Sequence, residues 1–221
     1  MNKVGWIVFA VVAVVILGGL VFLSQNSRVN IDVSDRDAFA IQGATEASGN
    51  ISDHVFGNKD SKVVLIEYAD FQCPGCASAY PRVQSIIEEY GDDIAIVTRN
   101  YAFQQPHGMA AAAAAEAAGL QGKYKEMAEV LFANQQAWAT LSAAERDERF
   151  AEYARNLGLD EEKFKTDRAS DEVRHKIQFD KALGNKVGVS GTPSFFLNGE
   201  KIETSTIHDE DAFRKLVEDN L

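Results

Sequence analysis

Hydrophobic and polar positions divide the chain into three stretches. Val4 to Leu23, V-G-W-I-V-F-A-V-V-A-V-V-I-L-G-G-L-V-F-L, carries no charge. As a helix it is about 30 Å long, enough to cross the hydrocarbon core of a bilayer. A cleavable signal peptide has a shorter apolar region followed by a small-x-small site, and Ser24-Gln25-Asn26-Ser27 offers no such site. The pattern predicts an uncleaved transmembrane signal anchor over residues 1–23. Residues 24–50 are polar and aperiodic, with Arg28, Asp32, Asp35, Arg36 and Asp37, and are expected to form a flexible tether.

From Ile51 onward, strand-like and helix-like periods alternate. V-V-L-I-E-Y-A, Val63 to Ala69, is the near-continuous apolar run of a strand buried on both faces, and Ile94 to Asn100 reads as a second. Between them Val83, Ile86, Ile87 and Tyr90 mark one face of a helix that Gly91 ends. Helical patterns then follow from about 104 to 187. His107–Ala118 holds a six-alanine run and Glu116, and Lys123–Ala133 places Tyr124, Met127, Val130 and Leu131 on one stripe. Ser142 and Glu145 form a capping box for a helix to Asn156, and Asp160–Arg168 and Glu172–Lys186 complete the series. Ser194–Leu197 and Lys201–Glu203 flank the hairpin dipeptide Asn198-Gly199, and Asp209 caps a last helix with Phe213, Leu216 and Val217 inward. Two strands, a helical stretch and a hairpin predict an α/β sheet interrupted by a helical subdomain, over residues 51–221.

The net charge of −11 argues against a nucleic-acid partner and against a domain lying flat on anionic lipid. Membrane attachment is therefore expected through the N-terminal helix alone. Lys3 before the apolar run and the acids beyond Arg28 favour a cell-membrane protein with its domain outside the cytoplasm.

The candidate chemistry lies at the end of the first strand. Cys73-Pro74-Gly75-Cys76 holds the only two cysteines of the chain and opens the helix that follows. With Pro74 at the first helical position, Cys73 falls at the N-cap, where unpaired N–H groups and the helix dipole favour the thiolate that exchange chemistry needs. Cys76, three residues on, shares that helix face and can close a disulfide without moving the backbone. Cys73 is expected to be the exposed attacking sulfur and Cys76 the inner, resolving one. A zinc site would need a second C-x-x-C, or histidines at ligand spacing, and His54, His107, His175 and His208 have neither; no metal and no cofactor is expected. A purely structural disulfide closing so small a loop stabilises little. Glu67, in the middle of the first strand, is either a strand-end carboxylate facing water or a buried acid able to take the Cys76 proton.

D-F-Q-C-P-G-C, Asp70 to Cys76, together with V-S-G-T-P-S-F-F-L-N-G, Val189 to Gly199, resembles the thioredoxin-fold disulfide oxidoreductases, in particular their DsbA-like branch with a helical insertion. The resemblance implies a thioredoxin fold with an inserted helical subdomain, preceded here by one N-terminal transmembrane helix. It makes Pro74 and Gly75 the active-site loop and Glu67 the buried acid. Pro81 becomes the kink of the active-site helix, and Thr192-Pro193 a cis-proline loop that binds substrate opposite Cys73. It further implies exported unfolded proteins as substrates and a membrane quinone-linked reoxidase of DsbB or VKOR type as partner. One departure is the Pro-Gly dipeptide, where strongly oxidising members carry Pro-His, which leaves the reduction potential open. The expected activity is extracytoplasmic thiol–disulfide exchange that introduces disulfide bonds into exported proteins. The alternatives are a membrane-tethered reductase or isomerase, and a redox-inactive, chaperone-like binding module.

Overall fold

Five strands form one mixed sheet in the order β1-β3-β2-β4-β5: β1 His54–Gly57, β2 Val63–Ala69, β3 Ile94–Asn100, β4 Ser194–Leu197 and β5 Glu200–Ile202. The computed structural model describes Val12, residues 31–103 and residues 106–221. The expected anchor over 1–23, apart from Val12, and the first part of the tether lie outside the described residues. Among the described residues no helix is long and apolar enough to cross a membrane.

β2 and β3 run parallel, and every other pair is antiparallel. A parallel pair needs a crossover, supplied by α1, Pro74–Tyr90. Between β3 and β4 the chain leaves the sheet for α2 His107–Gly119, α3 Tyr124–Ala133, α4 Gln135–Trp138, α5 Ala143–Asn156, α6 Glu161–Arg168 and α7 Asp171–Lys186. The Ser142–Glu145 capping box closes as expected, and Asp160 and Ser170 cap the next two helices. After β5 come α8 Thr204–His208 and α9 Glu210–Glu218, the latter capped by Asp209. Asn198 and Gly199 both take positive φ, 50° and 88°, as a tight primed turn requires.

The buried apolar side chains gather in two clusters. Leu65, Ile94, Ile96, Phe195 and Leu197 join Val83 and Ile86 of α1 and Phe213 and Val217 of α9 in one core. The alanines of α2 let its neighbours approach closely and merge with Cys76, Phe71, Leu131, Trp138 and Phe150 in a second. Burial of each such large apolar side chain contributes about 1.5–3 kcal/mol.

Three features correct the sequence reading. Three strands precede the insertion rather than two, because the short His54–Gly57 segment pairs antiparallel with β3. The final strand ends at Ile202, and Glu203 caps α8, an unexpected helix. The tether expected to reach residue 50 is docked from Asp32 onward, and these residues belong to the same compact unit as the rest of the domain. Val33 and Ala38 are buried, and Phe39 packs on Phe196 with ring centroids 5.5 Å apart. Lys186 Nζ donates to the carbonyls of Val33, Ser34 and Arg36 at 2.9, 2.8 and 2.5 Å. Polar composition misleads here because the segment is held through its backbone carbonyls, which composition does not report.

A buried ionic cluster ties this strap, β3 and the insertion together. Arg99 Nη2 meets Asp53 at 2.7 Å and Ala40 O at 2.7 Å, and Arg99 Nη1 donates to Ala38 O at 2.5 Å. Lys176 Nζ reaches Asp53 at 3.0 Å and Asp180 at 2.7 Å. Asp180 accepts from the Asn100 N–H at 3.0 Å, and Glu116 accepts from Asn100 Nδ2 at 2.5 Å and lies 2.7 Å from His54 Nε2. Charges taken out of water are tolerable only when paired and hydrogen-bonded on this scale.

Candidate active site

β2 ends at Ala69, and the turn Asp70–Gln72 delivers Cys73 to the N-cap of α1, with Pro74 at the first helical position. The turn is closed by the Cys73 N–H donating to Asp70 O at 2.9 Å and the Gln72 N–H donating to Asp70 Oδ1 at 2.9 Å. Gln135 of α4 reaches across from the insertion and donates its Nε2 to Phe71 O at 2.7 Å and Cys73 O at 3.0 Å. The helical insertion thereby fixes the loop that carries the reactive sulfur. No feature of the sequence singled out Gln135, which sits in a short helix with no periodic stripe.

Both cysteines are free thiols, and the two differ sharply. The Cys73 thiol is lowered from its ordinary value near 9 to about 5. The largest cause is a hydrogen bond from the Cys76 thiol; burial opposes it, and the Thr192 side chain and the backbone N–H groups of Cys76 and Gly75 add to it. Cys73 closes no capping hydrogen bond of good geometry, so those N–H groups act on it mainly through their charge. Cys76 is pushed far up, first by burial and then by its bond to Cys73 and the nearby Glu67 charge. Its sulfur also accepts a long, 3.5 Å contact from the Asp70 N–H. One thiol is thus ionised at neutral pH and the other keeps its proton. The expectation of an exposed attacking sulfur needs correction: Cys73 is only 9% exposed, because the Thr192-Pro193 loop lies over it.

That loop comes from the far end of the sequence. The Thr192–Pro193 peptide bond is cis, as the resemblance implied. The Cys73 thiol donates to Thr192 O at 3.1 Å. A Cβ placed on Gly75 would stand 3.1 Å from Pro193 Cδ and 3.6 Å from Cys73 Sγ, so the loop packs directly on the C-x-x-C.

Glu67 is the buried acid rather than a strand-end carboxylate, at 1% exposure. It lies between Thr98 of β3 and Phe195 of β4 in the sheet register. Burial first, and then the Cys73 charge, raise its carboxyl to about 8, against a hydrogen bond from Thr98 that lowers it. Pro81 lies within α1, as expected. Among the histidines, His54 stacks on Tyr124 at 3.6 Å and pairs with Glu116, and His107 Nδ1 lies 2.7 Å from Ala139 O; neither is at the cysteines. The described residues contain no cluster of metal-ligating side chains.

The sequence model of the family described as Thioredoxin matches residues 49–219. The chain belongs to the thioredoxin family. Among solved structures, this thioredoxin-family chain is similar to a thioredoxin-like oxidoreductase from Silicibacter pomeroyi DSS-3, at 29% identity and a TM-score of 0.60, covering 78% of this chain and 99% of that one. It shares its fold with the thiol-disulfide exchange protein alpha-DsbA2 from Wolbachia pipientis, at 21% identity and a TM-score of 0.67, covering 76% and 87%. Among curated proteins it is similar to the Na(+)/H(+) antiporter NhaA 1 of Mycobacterium sp. (strain KMS), 33% identical over 155 residues, 67% of this chain and 24% of that protein. The chain spans about a quarter of the length of the curated relatives it matches. The fold is therefore the DsbA-like thioredoxin fold with a helical insertion, and β2, α1 and the Thr192-Pro193 loop meet at the Cys73–Cys76 pair.

Proposed function

We propose that the chain is a thiol–disulfide oxidoreductase that donates its Cys73–Cys76 disulfide to unfolded exported proteins. The observation that carries this reading is the divergence of the two thiols, one lowered to about 5 and the other raised by burial. A stabilised thiolate stabilises the dithiol form, which makes the disulfide a better oxidant, so the same observation favours donation over reduction.

In the exchange, a substrate thiolate attacks Cys73 and the Cys73–Cys76 bond breaks, its electron pair leaving on Cys76. Glu67, held largely protonated at neutral pH, supplies the proton that the buried Cys76 sulfur retains. A second substrate thiolate then attacks the substrate sulfur of the mixed disulfide, and Cys73 leaves as the stable thiolate. The substrate gains a disulfide and the enzyme becomes the dithiol, so electrons balance. The Thr192 backbone offers an edge on which an extended substrate segment can pair while its cysteine reaches Cys73. Pro74 and Gly75 keep that approach clear of bulk, and Pro193, lacking an N–H, adds no competing donor.

The site is assigned to the extracytoplasmic side, with residues 1–23 as an uncleaved anchor. The charge-free Val4–Leu23 run and Lys3 before it support this reading, as does the need of such chemistry for an oxidising compartment. The dithiol is then returned to the disulfide by a membrane quinone-linked partner of DsbB or VKOR type.

The deciding experiment is refolding of a reduced, disulfide-dependent protein by the oxidised chain. Activity should be recovered with a stoichiometric rise in enzyme dithiol. A Cys73→Ala, Cys76→Ala variant that performs equally well would leave only a chaperone-like binding module. Protection of the domain from external protease in spheroplasts would defeat the assigned location.

A further inference from the structure

The active-site turn is held on two sides. On one, the Cys73 thiol meets Thr192 O at 3.1 Å. On the other, Gln135 Nε2 donates to two carbonyls of the turn, Phe71 O at 2.7 Å and Cys73 O at 3.0 Å. Both partners are acceptors, so only the amide nitrogen can face them, and its two N–H groups serve one carbonyl each. A methionine has the reach without the donors, and a glutamate ionised at neutral pH would set an acceptor against two acceptors. The position therefore asks for the chemistry of this side chain and not only its length.

Gln135 is mounted to keep that geometry. It opens α4, where the fully buried Trp138 donates its indole N–H to Leu131 O at 2.8 Å and packs edge-on against Phe150, ring centroids 5.5 Å apart. The Ala139 N–H closes on Gln135 O at 2.9 Å, and Ala139 O lies 2.7 Å from His107 Nδ1 of α2. A side chain on an element pinned in this way positions its partners more precisely than one on a loop.

What the amide holds is the start of α1. The Cys73 carbonyl is also the first acceptor of that helix, taking the Ala77 N–H at 3.2 Å. Fixing this carbonyl fixes the plane of the Cys73–Pro74 peptide. With it goes the extended Cys73 backbone, φ −74° and ψ 121°, from which the sulfur reaches the helix N-terminus. The thiolate depends on that reach. It is favoured first by the Cys76 thiol, and further by the backbone N–H groups of Cys76 and Gly75. All of these belong to the first turn of α1, and such an effect falls off within one turn.

We propose that Gln135 is a positioning residue for the exchange reaction: its amide clamps the Phe71 and Cys73 carbonyls, keeps the Cys73 sulfur at the α1 N-terminus, and thereby sets how strongly the disulfide oxidises. The proposal rests on the reading of Cys73 as the attacking thiolate. Gln135 touches no reacting atom and acts through the backbone of Cys73. With the amide removed, the Cys73 carbonyl keeps the Ala77 N–H but loses its lateral tie, and the Phe71 carbonyl loses the Gln135 donor. The sulfur then spends less time among the groups that favour its charge. The dithiol form is stabilised less, and the disulfide becomes a weaker oxidant. Through one amide, the helical insertion takes part in the redox setting of a cysteine pair carried by the sheet and α1.

The test compares the full wild-type chain with Gln135→Met and Gln135→Ala in two measurements. One is thiolate absorbance of the reduced chain against pH; the other is equilibrium of the Cys73–Cys76 disulfide with a glutathione buffer. In both variants the Cys73 transition should rise by about one pH unit, a tenfold loss of thiolate stability. The disulfide should become about tenfold harder to reduce at neutral pH, or about 30 mV lower in potential. Either quantity staying at its wild-type value overturns the proposal, and a lowered melting temperature alone would mark Gln135 as a structural residue. Should one variant fail to fold, the other decides. The wild-type titration separates the two levels. If the wild-type chain shows no transition below the ordinary value near 9, the reading of Cys73 falls and this role with it. If it shows one and the variants keep it unmoved, only the role of Gln135 falls.

Discussion

The Cys73 sulfur lies 3.1 Å from the carbonyl oxygen of Thr192, 119 residues further along the chain. This contact makes the site a property of the whole fold, since it forms only when β4 has paired with β2 across the entire insertion. It also accounts for the low, 9% exposure of Cys73, while the thiolate is favoured from the other side, first by the Cys76 thiol.

Titration of thiolate absorbance in the reduced chain should give a single transition near pH 5 for Cys73. Iodoacetamide at neutral pH should label Cys73 and spare Cys76, and mass mapping of the adduct checks it. A thiol lowered from about 9 to about 5 stabilises the folded dithiol form fully above pH 9, and that contribution is lost as pH falls through 5. The reduced chain should therefore gain stability relative to the oxidised chain between those values, as paired urea melts would show.

Glu67→Gln should stabilise the reduced chain increasingly with pH. The wild-type carboxyl is raised from 4.5 to about 8, so from pH 4.5 upward the unfolded chain ionises before the folded one and stability declines until about 8. Glutamine lacks that penalty. Urea melts of both proteins at pH 4 and pH 8 test this, and an unchanged difference between the two values would show Glu67 to be ordinary in its titration.

Lys176→Met should cost about 3–5 kcal/mol, because it leaves Asp180 and part of Asp53 buried without a counter-charge. Adding Asp180→Asn should recover part of the loss. The cluster also predicts an acid limit. The charges of Lys176 and Arg99 hold Asp53 at about 2 against the burial that raises it, so its contribution is present above 3.8 and lost as pH falls through 2. Equilibrium melts of the single and double variants, with an acid titration of the wild type, check both statements.

Gly75→His should fold and lower the Cys73 thiol further, since a protonated imidazole beside the sulfur favours the thiolate. Its Cβ would sit 3.1 Å from Pro193 Cδ, so the loop must give by a few tenths of an ångström. The thiolate titration repeated on the variant measures the effect; a transition that stays near 5 would mean that the imidazole points away.

Local signals carried most of the site. The apolar run into Cys73, Pro74 at the start of a helix, and Asn198-Gly199 between strands are dictated by neighbours in sequence, and each appears where the pattern placed it. Glu67 was legible as a residue but not as buried, because its burial depends on β3 and β4 closing on both sides. Asp53, Arg99, Lys176 and Asp180 gave no warning at all. Charged residues ordinarily face water, and Lys176 and Asp53 are 123 residues apart in the chain.

The strap at Asp32–Asn50 sets where this domain can be cut. The family match begins at residue 49, so comparison of sequences alone would start a soluble fragment there. Such a fragment would strip the guanidinium of Arg99 of the Ala38 and Ala40 carbonyls, and bare the face of Phe196 that Phe39 covers. Lys186 would lose all three of its carbonyl partners as well. The smallest piece that keeps its own interior closed begins at Asp32, some seventeen residues earlier than the boundary its relatives suggest.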